Sequence, residues 1–156
     1  MDQTIEIYTD GSCHPQSNIG AWAAIILFND QKAIIEGAVM NTNHNRMEIF
    51  AVLKAMEFIE AQGLAAHNIQ VFTDSQYVTN IPERAETLKK NAFLTRKNTP
   101  IQNVDLVQQL IALTELHRIN FIKVVAHQKK GDTQNHNREV DKIVRKRLRK
   151  EIADGL

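Results

Sequence analysis

The hydrophobic pattern of the chain changes its period near residue 45, and this change limits the folds open to it. Before that point, apolar residues alternate or run continuously, as in β-strands, over residues 5–9, 19–28 and 33–40. After it, residues 45–62 carry apolar side chains at helical spacing, and Gly63 follows where a helix would end. Three strands followed by a long helix predict a fold that mixes sheet and helix.

The first three strands are expected to form an antiparallel meander. Asp10-Gly11-Ser12 is a turn sequence, which predicts that the first strand ends there with Asp10 at its carboxyl end. Residues 29–32 are polar and of hairpin length, so they are expected to connect the second strand to the third.

The second half of the chain predicts two buried strands and several helices. Residues 69–73 and 119–126 are short apolar runs typical of buried strands. Between them, Pro82 is expected to open one helix and Asn103 another, and a last helix is expected to start near Asn137. The order of elements indicates an α/β fold. A mixed five-stranded sheet, with a three-strand antiparallel meander and two parallel strands, would carry helices on both faces.

Length and composition indicate one globular domain spanning residues 1–156. Apolar residues make up 43% of the chain and charged residues 24%, which is ordinary for a folded domain. A single cysteine excludes an internal disulfide, and the first residues lack the basic segment and apolar run of a signal peptide. We therefore expect the reducing cytoplasm, and we expect a monomer because nothing in the sequence demands a dimer. No apolar run is long enough to predict a membrane span.

The charges are distributed unevenly along the chain. The first 78 residues hold 3 Lys or Arg and 9 Asp or Glu, whereas the rest hold 16 and 9, although the net charge is only +1. This asymmetry predicts a basic face suited to a polyanion and a separate acidic place. The alternative is a charged helix that is simply exposed to solvent, and this is the more common explanation of the basic residues from Lys142 to Lys150.

Four acidic residues occupy unusual positions. Glu48 begins a stripe that is otherwise apolar, so its carboxylate must reach solvent, shift its pKa or bind a partner or cation. Asp10 and Asp74 each follow a Thr at the predicted carboxyl end of a strand, where open α/β sheets place ligand sites. Asp141 lies in the first turn of the last predicted helix. Taken singly, each has an ordinary structural explanation as a turn or cap residue.

Taken together, four segments resemble type 1 ribonuclease H. They are Ile7-Tyr8-Thr9-Asp10-Gly11-Ser12-Cys13, Asn45-Arg46-Met47-Glu48, Thr73-Asp74-Ser75-Gln76-Tyr77-Val78, and His127 followed by Asn137-Arg138-Glu139-Val140-Asp141. Their order, and their placement on strand, helix, strand and helix, make a specific combination. The resemblance implies a ribonuclease H-like fold and hydrolysis of the RNA strand of RNA/DNA hybrids.

The resemblance also implies the composition of the catalytic site. Asp10, Glu48, Asp74 and Asp141 would ligate two Mg²⁺ ions, with Mn²⁺ as a substitute, in a two-metal mechanism that leaves 5′-phosphate and 3′-hydroxyl ends. His127 would assist proton transfer or product departure.

Substrate contacts are assigned from the same resemblance. Asn45 and Gln76 match residues that read 2′-hydroxyl groups in the minor groove. Cys13, Asn43 and His44 fall near positions that contact the hybrid's backbone. A basic handle comprises Lys89, Lys90, Arg96 and Lys97, with Leu88 and Phe93 where tryptophans are usual.

Two other functions fit parts of this pattern. A nuclease of the same superfamily that acts on DNA would share the acidic cluster, and a catalytically weak hybrid-binding module would share the basic surface. The segments around Glu48 and Gln76 argue against the first alternative, and the presence of all four acids argues against the second.

Overall fold

Five strands and five helices make up the described part of the chain. The computed structural model describes residues 4–65, 67–125 and 132–155, apart from the side chains of residues 132–134. The strands are β1 (Thr4–Cys13), β2 (Gly20–Phe28), β3 (Gln31–Val39), β4 (Asn68–Thr73) and β5 (Ile119–Lys123). The helices are α1 (His44–Ala61), α2 (Gln76–Glu83), α3 (Ala85–Lys90), α4 (Val104–Leu116) and α5 (Asp132–Asp154).

The strands form one mixed sheet in the order β3-β2-β1-β4-β5. β1, β2 and β3 pair antiparallel, while β4 pairs parallel to both β1 and β5. Asn29 and Asp30 turn the β2–β3 hairpin with φ angles of 50° and 61°, values that match the natural twist of paired strands. The predicted meander and the two parallel strands are confirmed.

Helices pack on both faces of this sheet, as predicted. Ala24 and Ile26 of β2 belong to a core that includes α1 and α4. Ala23 and Ile25, which point the other way, pack in a second core with Val140 and Val144 of α5. Within the ranges described above, none of the helices has the length and apolar character needed to cross a membrane.

The expected turn at Asp10-Gly11-Ser12 was wrong, because β1 continues through it. Gly11 and Ser12 pair with residues of β2, and β1 ends only at Cys13, opposite Gly20. The parallel pairing with β4 stops earlier, at Tyr8. Asp10 is therefore paired with β2 on one side, whereas on the other side it lies beyond the last residue of β1 that pairs with β4.

Two predicted helix starts were also wrong. Pro82 lies in the last turn of α2, whose N-cap is Ser75, with the Ser75 hydroxyl accepting a hydrogen bond from Val78 N at 3.2 Å. α5 begins at Asp132 rather than near Asn137. The extra turn includes His136, whose ring packs against Tyr8 of β1 with 5.0 Å between the ring centroids. The prediction that Asn103 begins a helix is confirmed by α4.

Candidate active site

Glu48 is placed by the N-terminal turns of α1. The side chain of Asn43 caps the helix by accepting a hydrogen bond from Arg46 N at 2.8 Å. Glu48 follows one turn later on the side facing the sheet, and only 3% of its surface is exposed. The prediction that a carboxylate begins the buried stripe of this helix is confirmed.

A glycine brings α1 against β1 at this point. A Cβ atom on Gly11 would collide with the backbone carbonyl of Met47 and lie 2.7 Å from Glu48 N. Any side chain larger than hydrogen would therefore push the helix away from the strand. Because Asp10 and Gly11 are consecutive, this close approach brings Asp10 and Glu48 together.

Four acidic side chains meet at this end of the sheet. Asp10, Glu48 and Asp74 each offer an oxygen atom that lies within 4.8 Å of the other two. Asp141, on α5, lines the same pocket and interacts electrostatically with Asp10 and Asp74. Two strands and two helices thus contribute to one cluster, because Asp74 directly follows β4.

The environment of the cluster disfavours negative charge. Burial, followed by the nearby carboxylates, raises the pKa of Glu48 to about 9 and the pKa of Asp10 to about 8. Burial and Asp141 also raise the pKa of Asp74. The backbone N–H of Gly11 opposes these shifts by bonding to Asp10 and Glu48, yet it does not overcome them. The site therefore repels a further anion and favours protons or cations.

The donor set fits a hard divalent cation. Glu48 Oε1 is buried and makes no hydrogen bond within the described part of the structure, so one ligand atom is free to coordinate. Carboxylate oxygens are the ligands that Mg²⁺ prefers, and a cation among them would relieve their mutual repulsion. The pocket also exposes polar groups that could hold metal-bound waters or substrate.

Several predicted substrate-binding residues line the pocket, and one charged residue of the pocket was missed. His44, Asn45 and Gln76 are at its wall, and His44 Nε2 lies 3.8 Å from Glu48 Oε2. The missed residue is Arg145, whose guanidinium lies 2.9 Å from an Asp141 carboxylate oxygen. Its spacing of four residues after Asp141 on a helix is the signal that could have identified it.

Other predicted contact residues lie outside the pocket lining. Cys13 donates a hydrogen bond to the Thr42 carbonyl oxygen at 3.4 Å, and Asn43 is bound to Asn103. Lys89 forms an ion pair with Glu115 at 2.6 Å. The remaining handle residues are exposed on and after α3: Lys90, Arg96 and Lys97. His127 lies outside the described residues.

The mixed sheet with an acidic cluster at its central strands defines a class of α/β proteins suited to metal-dependent chemistry on phosphate esters. The RNase H family profile matches residues 2–149. A ribonuclease H from Chlorobaculum parvum is 34% identical over 140 residues, which cover 88% of this chain and 91% of that protein. One from Caldanaerobacter subterraneus is 30% identical over 156 residues, covering 99% and 97%.

A solved structure agrees with the fold. LC9-RNase H1, a type 1 RNase H, superposes with a TM-score of 0.79 at 18% identity, over 95% of this chain and 73% of that chain. The profile match and the sequence relatives settle the family. The chain belongs to the ribonuclease H family and is a nuclease.

Proposed function

We propose that this protein hydrolyses the RNA strand of RNA/DNA hybrids with two divalent cations held by Asp10, Glu48, Asp74 and Asp141. The observation that carries the proposal is the convergence of these four carboxylates in one pocket. Family membership supports it, as does LC11-RNase H1. That protein has been solved with an RNA/DNA hybrid and matches this fold with a TM-score of 0.70 at 15% identity, over 95% of this chain and 99% of that chain.

The four carboxylates supply the oxygen ligands, and two of them are held more firmly than the others. Asp10 and Glu48 are fixed by the contact of β1 with α1, whereas Asp74 and Asp141 come from less buried positions. When bound, two Mg²⁺ or Mn²⁺ ions would activate the attacking water and neutralise charge on the leaving oxygen. The products would be a 5′-phosphate and a 3′-hydroxyl.

Arg145 gives Asp141 a counter-charge when no cation is bound. The pair is half-exposed, with 61% of the Arg145 side chain and 48% of the Asp141 side chain accessible, so solvent screens it and it can separate. Asp141 is therefore free to turn toward a cation, and Arg145 to turn toward a phosphate of the substrate.

Polar groups at the wall of the pocket are proposed to recognise the RNA strand. Asn45 and Gln76 are short polar side chains beside the acids, as contacts to 2′-hydroxyl groups require. Gln76 donates a hydrogen bond to Asn80 Oδ1 at 2.7 Å, which orients its amide. His44, Cys13 and Asn43 are proposed to contact the backbone of the hybrid.

The basic handle and His127 complete the proposal. Lys89, Lys90, Arg96 and Lys97 would bind phosphates, and their contribution to affinity would fall with salt. His127 would assist proton transfer or product departure. The single domain, the monomeric state and the cytoplasmic location remain predictions from the sequence.

The test is cleavage of an end-labelled RNA/DNA hybrid in Mg²⁺, in Mn²⁺ and in excess EDTA. Single-stranded RNA, double-stranded RNA and double-stranded DNA serve as controls, and Asp10→Asn is compared with the wild type. We expect cutting of the RNA strand of the hybrid alone, dependent on metal and lost in the variant. Tight hybrid binding without cutting would contradict the proposal, and so would cutting of DNA.

A further inference from the structure

The outer face of α5 carries a continuous basic surface. Five cationic side chains between residues 142 and 150 are exposed, while Val140 and Val144 on the opposite side are buried against the sheet. No acidic residue lies between Lys142 and Lys150. We call the following four residues the α5 basic face: Lys142, Lys146, Arg149 and Lys150.

These four cations have no counter-charge among the residues that the structure describes. None of them takes part in the ion pairs found there. The neighbouring Arg147 differs, because it pairs with Glu36 at 3.1 Å and Glu151 at 2.8 Å on the side nearer the sheet. Arg147 is therefore engaged with acidic partners, whereas the four residues of the α5 basic face are free to bind a ligand.

Exposure to solvent alone does not explain this arrangement of charges on α5. Exposed helices typically alternate charges of opposite sign, whereas Lys142 and Lys146, and also Lys146 and Lys150, are like charges four residues apart. Like charges at that spacing repel one another and weaken the helix. Since the net charge of the chain is only +1, this surface is a local concentration of charge rather than a general excess.

The basic surface is continuous with the active site. Asp141 and Arg145, on the same helix, line the catalytic pocket, and Arg149 lies one turn after Arg145. The rise of roughly 1.5 Å per residue puts Arg149 roughly 12 Å along α5 from Asp141. Phosphates along one strand of a duplex are about 3.4 Å apart along its axis, so this distance corresponds to about three to four nucleotides.

We propose that the α5 basic face binds the phosphate backbone of the hybrid duplex beside the cleavage site. This inference rests on the proposed function and adds a second phosphate-binding surface to it. The handle residues belong to and follow α3, whose Leu88 packs in the core containing α1 and α4, whereas α5 packs in the core on the other face of the sheet. The hybrid would thus be held from both sides of the acidic pocket.

The experiment compares two double variants with equal loss of charge. Lys146→Gln with Arg149→Gln removes two cations of the α5 basic face. Lys54→Gln with Arg118→Gln is the matched control, because Lys54 is paired with Glu57 and Arg118 precedes β5, at the end of the parallel strands away from the acids. Affinity for a long hybrid is measured in EDTA over a range of salt, and kcat and KM are then measured in Mg²⁺.

We expect the α5 variant to bind the long hybrid at least fivefold more weakly at low salt. The slope of log affinity against log salt should become shallower by about 1.8, since each phosphate contact on a duplex contributes about 0.9. KM should rise while kcat stays the same, and the control variant should match the wild type. The melting temperature of the α5 variant should not fall, because a repulsion has been removed. A purely structural role would lower it.

Shortening the hybrid gives an independent readout. When the duplex no longer reaches past the cleavage site toward α5, the wild type and the α5 variant should bind it equally. Unchanged affinity and salt slope for the long hybrid would overturn the inference, as would an equal loss in the control variant. If the wild type binds the hybrid in EDTA but never cuts it, the proposed function fails. The inference about binding is then still decided by comparing the affinities of the wild type, the α5 variant and the control variant.

Discussion

Glu48 is a carboxylate at a helix position that otherwise carries apolar side chains. Its burial could be predicted from the sequence, because the residues at helical offsets from it are apolar. Its partners could not, since Asp10 and Asp74 lie far from it along the chain and nothing in the spacing shows that they converge. The resemblance to the family supplied that expectation. Arg145 was missed because it lies among other basic residues of the last helix, where its spacing of four residues from Asp141 does not stand out.

Replacing Asp10 with Asn should stop catalysis without weakening the fold. Changes to residues that merely support metal ligands cost about 10- to 100-fold, so losing a ligand should reduce kcat/KM by more than about 100-fold. The melting temperature in EDTA should stay the same or rise, because one of the mutually repelling carboxylates is gone. Asp30→Asn, in the β2–β3 turn, is the matched control and should retain full activity. A variant that unfolds would invalidate the interpretation.

The metal-free protein should lose stability as the pH rises. In the folded state the pKa values of Glu48 and Asp10 are about 9 and about 8, well above their ordinary values, so the folded protein keeps protons that the unfolded chain releases. The stability due to these protons is fully present below about pH 4 and is lost as the pH rises through about 8 to 9. Thermal unfolding in EDTA, measured from about pH 5 to about pH 9, should show this decline.

Two comparisons isolate the contribution of the cluster. Glu48→Gln should have a flatter pH profile than the wild type, because its side chain does not titrate. The increase in melting temperature caused by Mg²⁺ should grow with pH, since the cation replaces protons that are progressively lost. Parallel profiles for the wild type and Glu48→Gln would show that other groups cause the decline.

Helix α1 is the element that positions the cluster, and its first turn is joined to α4. Asn43 exchanges two side-chain hydrogen bonds with Asn103, at 3.0 and 3.2 Å. Arg46 binds both carboxylate oxygens of Asp105, at 2.9 and 2.7 Å, and the pKa of Asp105 falls to about 2 as a result. The start of α4, which follows the handle, is thereby linked to the helix that carries Glu48.

Removing the cap of α1 should affect both stability and activity. Asn43→Ala deletes the hydrogen bond to Arg46 N together with both bonds to Asn103, so the free energy of unfolding should fall by at least about 1 kcal/mol. Activity should fall as well, because His44, Asn45 and Glu48 follow the cap. Asn43→Ser retains a capping oxygen but loses the bonds to Asn103, so it should recover part of the stability, as chemical denaturation would show. Equal stability of the Ala and Ser variants would contradict the assigned role of the cap.

The contact between β1 and α1 should tolerate only glycine at position 11. Gly11→Ala would force the backbone of Met47 away and separate Glu48 from Asp10, so metal-dependent activity should be lost. Gly63→Ala is the control. Its φ of +72° makes alanine unfavourable by about 1 kcal/mol, yet no described residue lies within 4 Å of the added atom and Gly63 is not part of the site. The activities of the two variants are compared at equal concentrations of folded protein. An active Gly11→Ala protein would refute the argument.

The boundaries of the elements were harder to predict than their order. β1 continued past a turn sequence because β2 supplies backbone partners as far as Cys13, which is a long-range effect that local sequence does not encode. α2 began at Gln76 rather than at Pro82 because the Ser75 hydroxyl was available to cap it. In both cases tertiary contacts or capping overrode a local signal.

At the scale of the whole molecule, the sheet order places the acidic pocket between two helical layers. The alternation of β2 residues between the two cores could be anticipated from strand periodicity, and the predicted mixed sheet was correct. The uneven distribution of charge along the sequence also reappears in three dimensions, with acids converging at the central strands and unpaired cations on α5. The sequence alone does not distinguish the exposed basic surface from an ordinary solvated helix face. Its continuity with the pocket is visible only in the structure.

The absence of a side chain at Gly11 lets a direct backbone contact set the spacing between β1 and α1 at the active site. Where two backbones touch directly, the gap between them does not depend on the volumes of neighbouring side chains. Relatives that share only about a third of their residues with this chain could therefore vary the interior, the loops and the outer helix without changing the spacing of Asp10 and Glu48. Sequence drift elsewhere in the interior is thus compatible with a fixed separation of Asp10 and Glu48, provided that this backbone contact is kept.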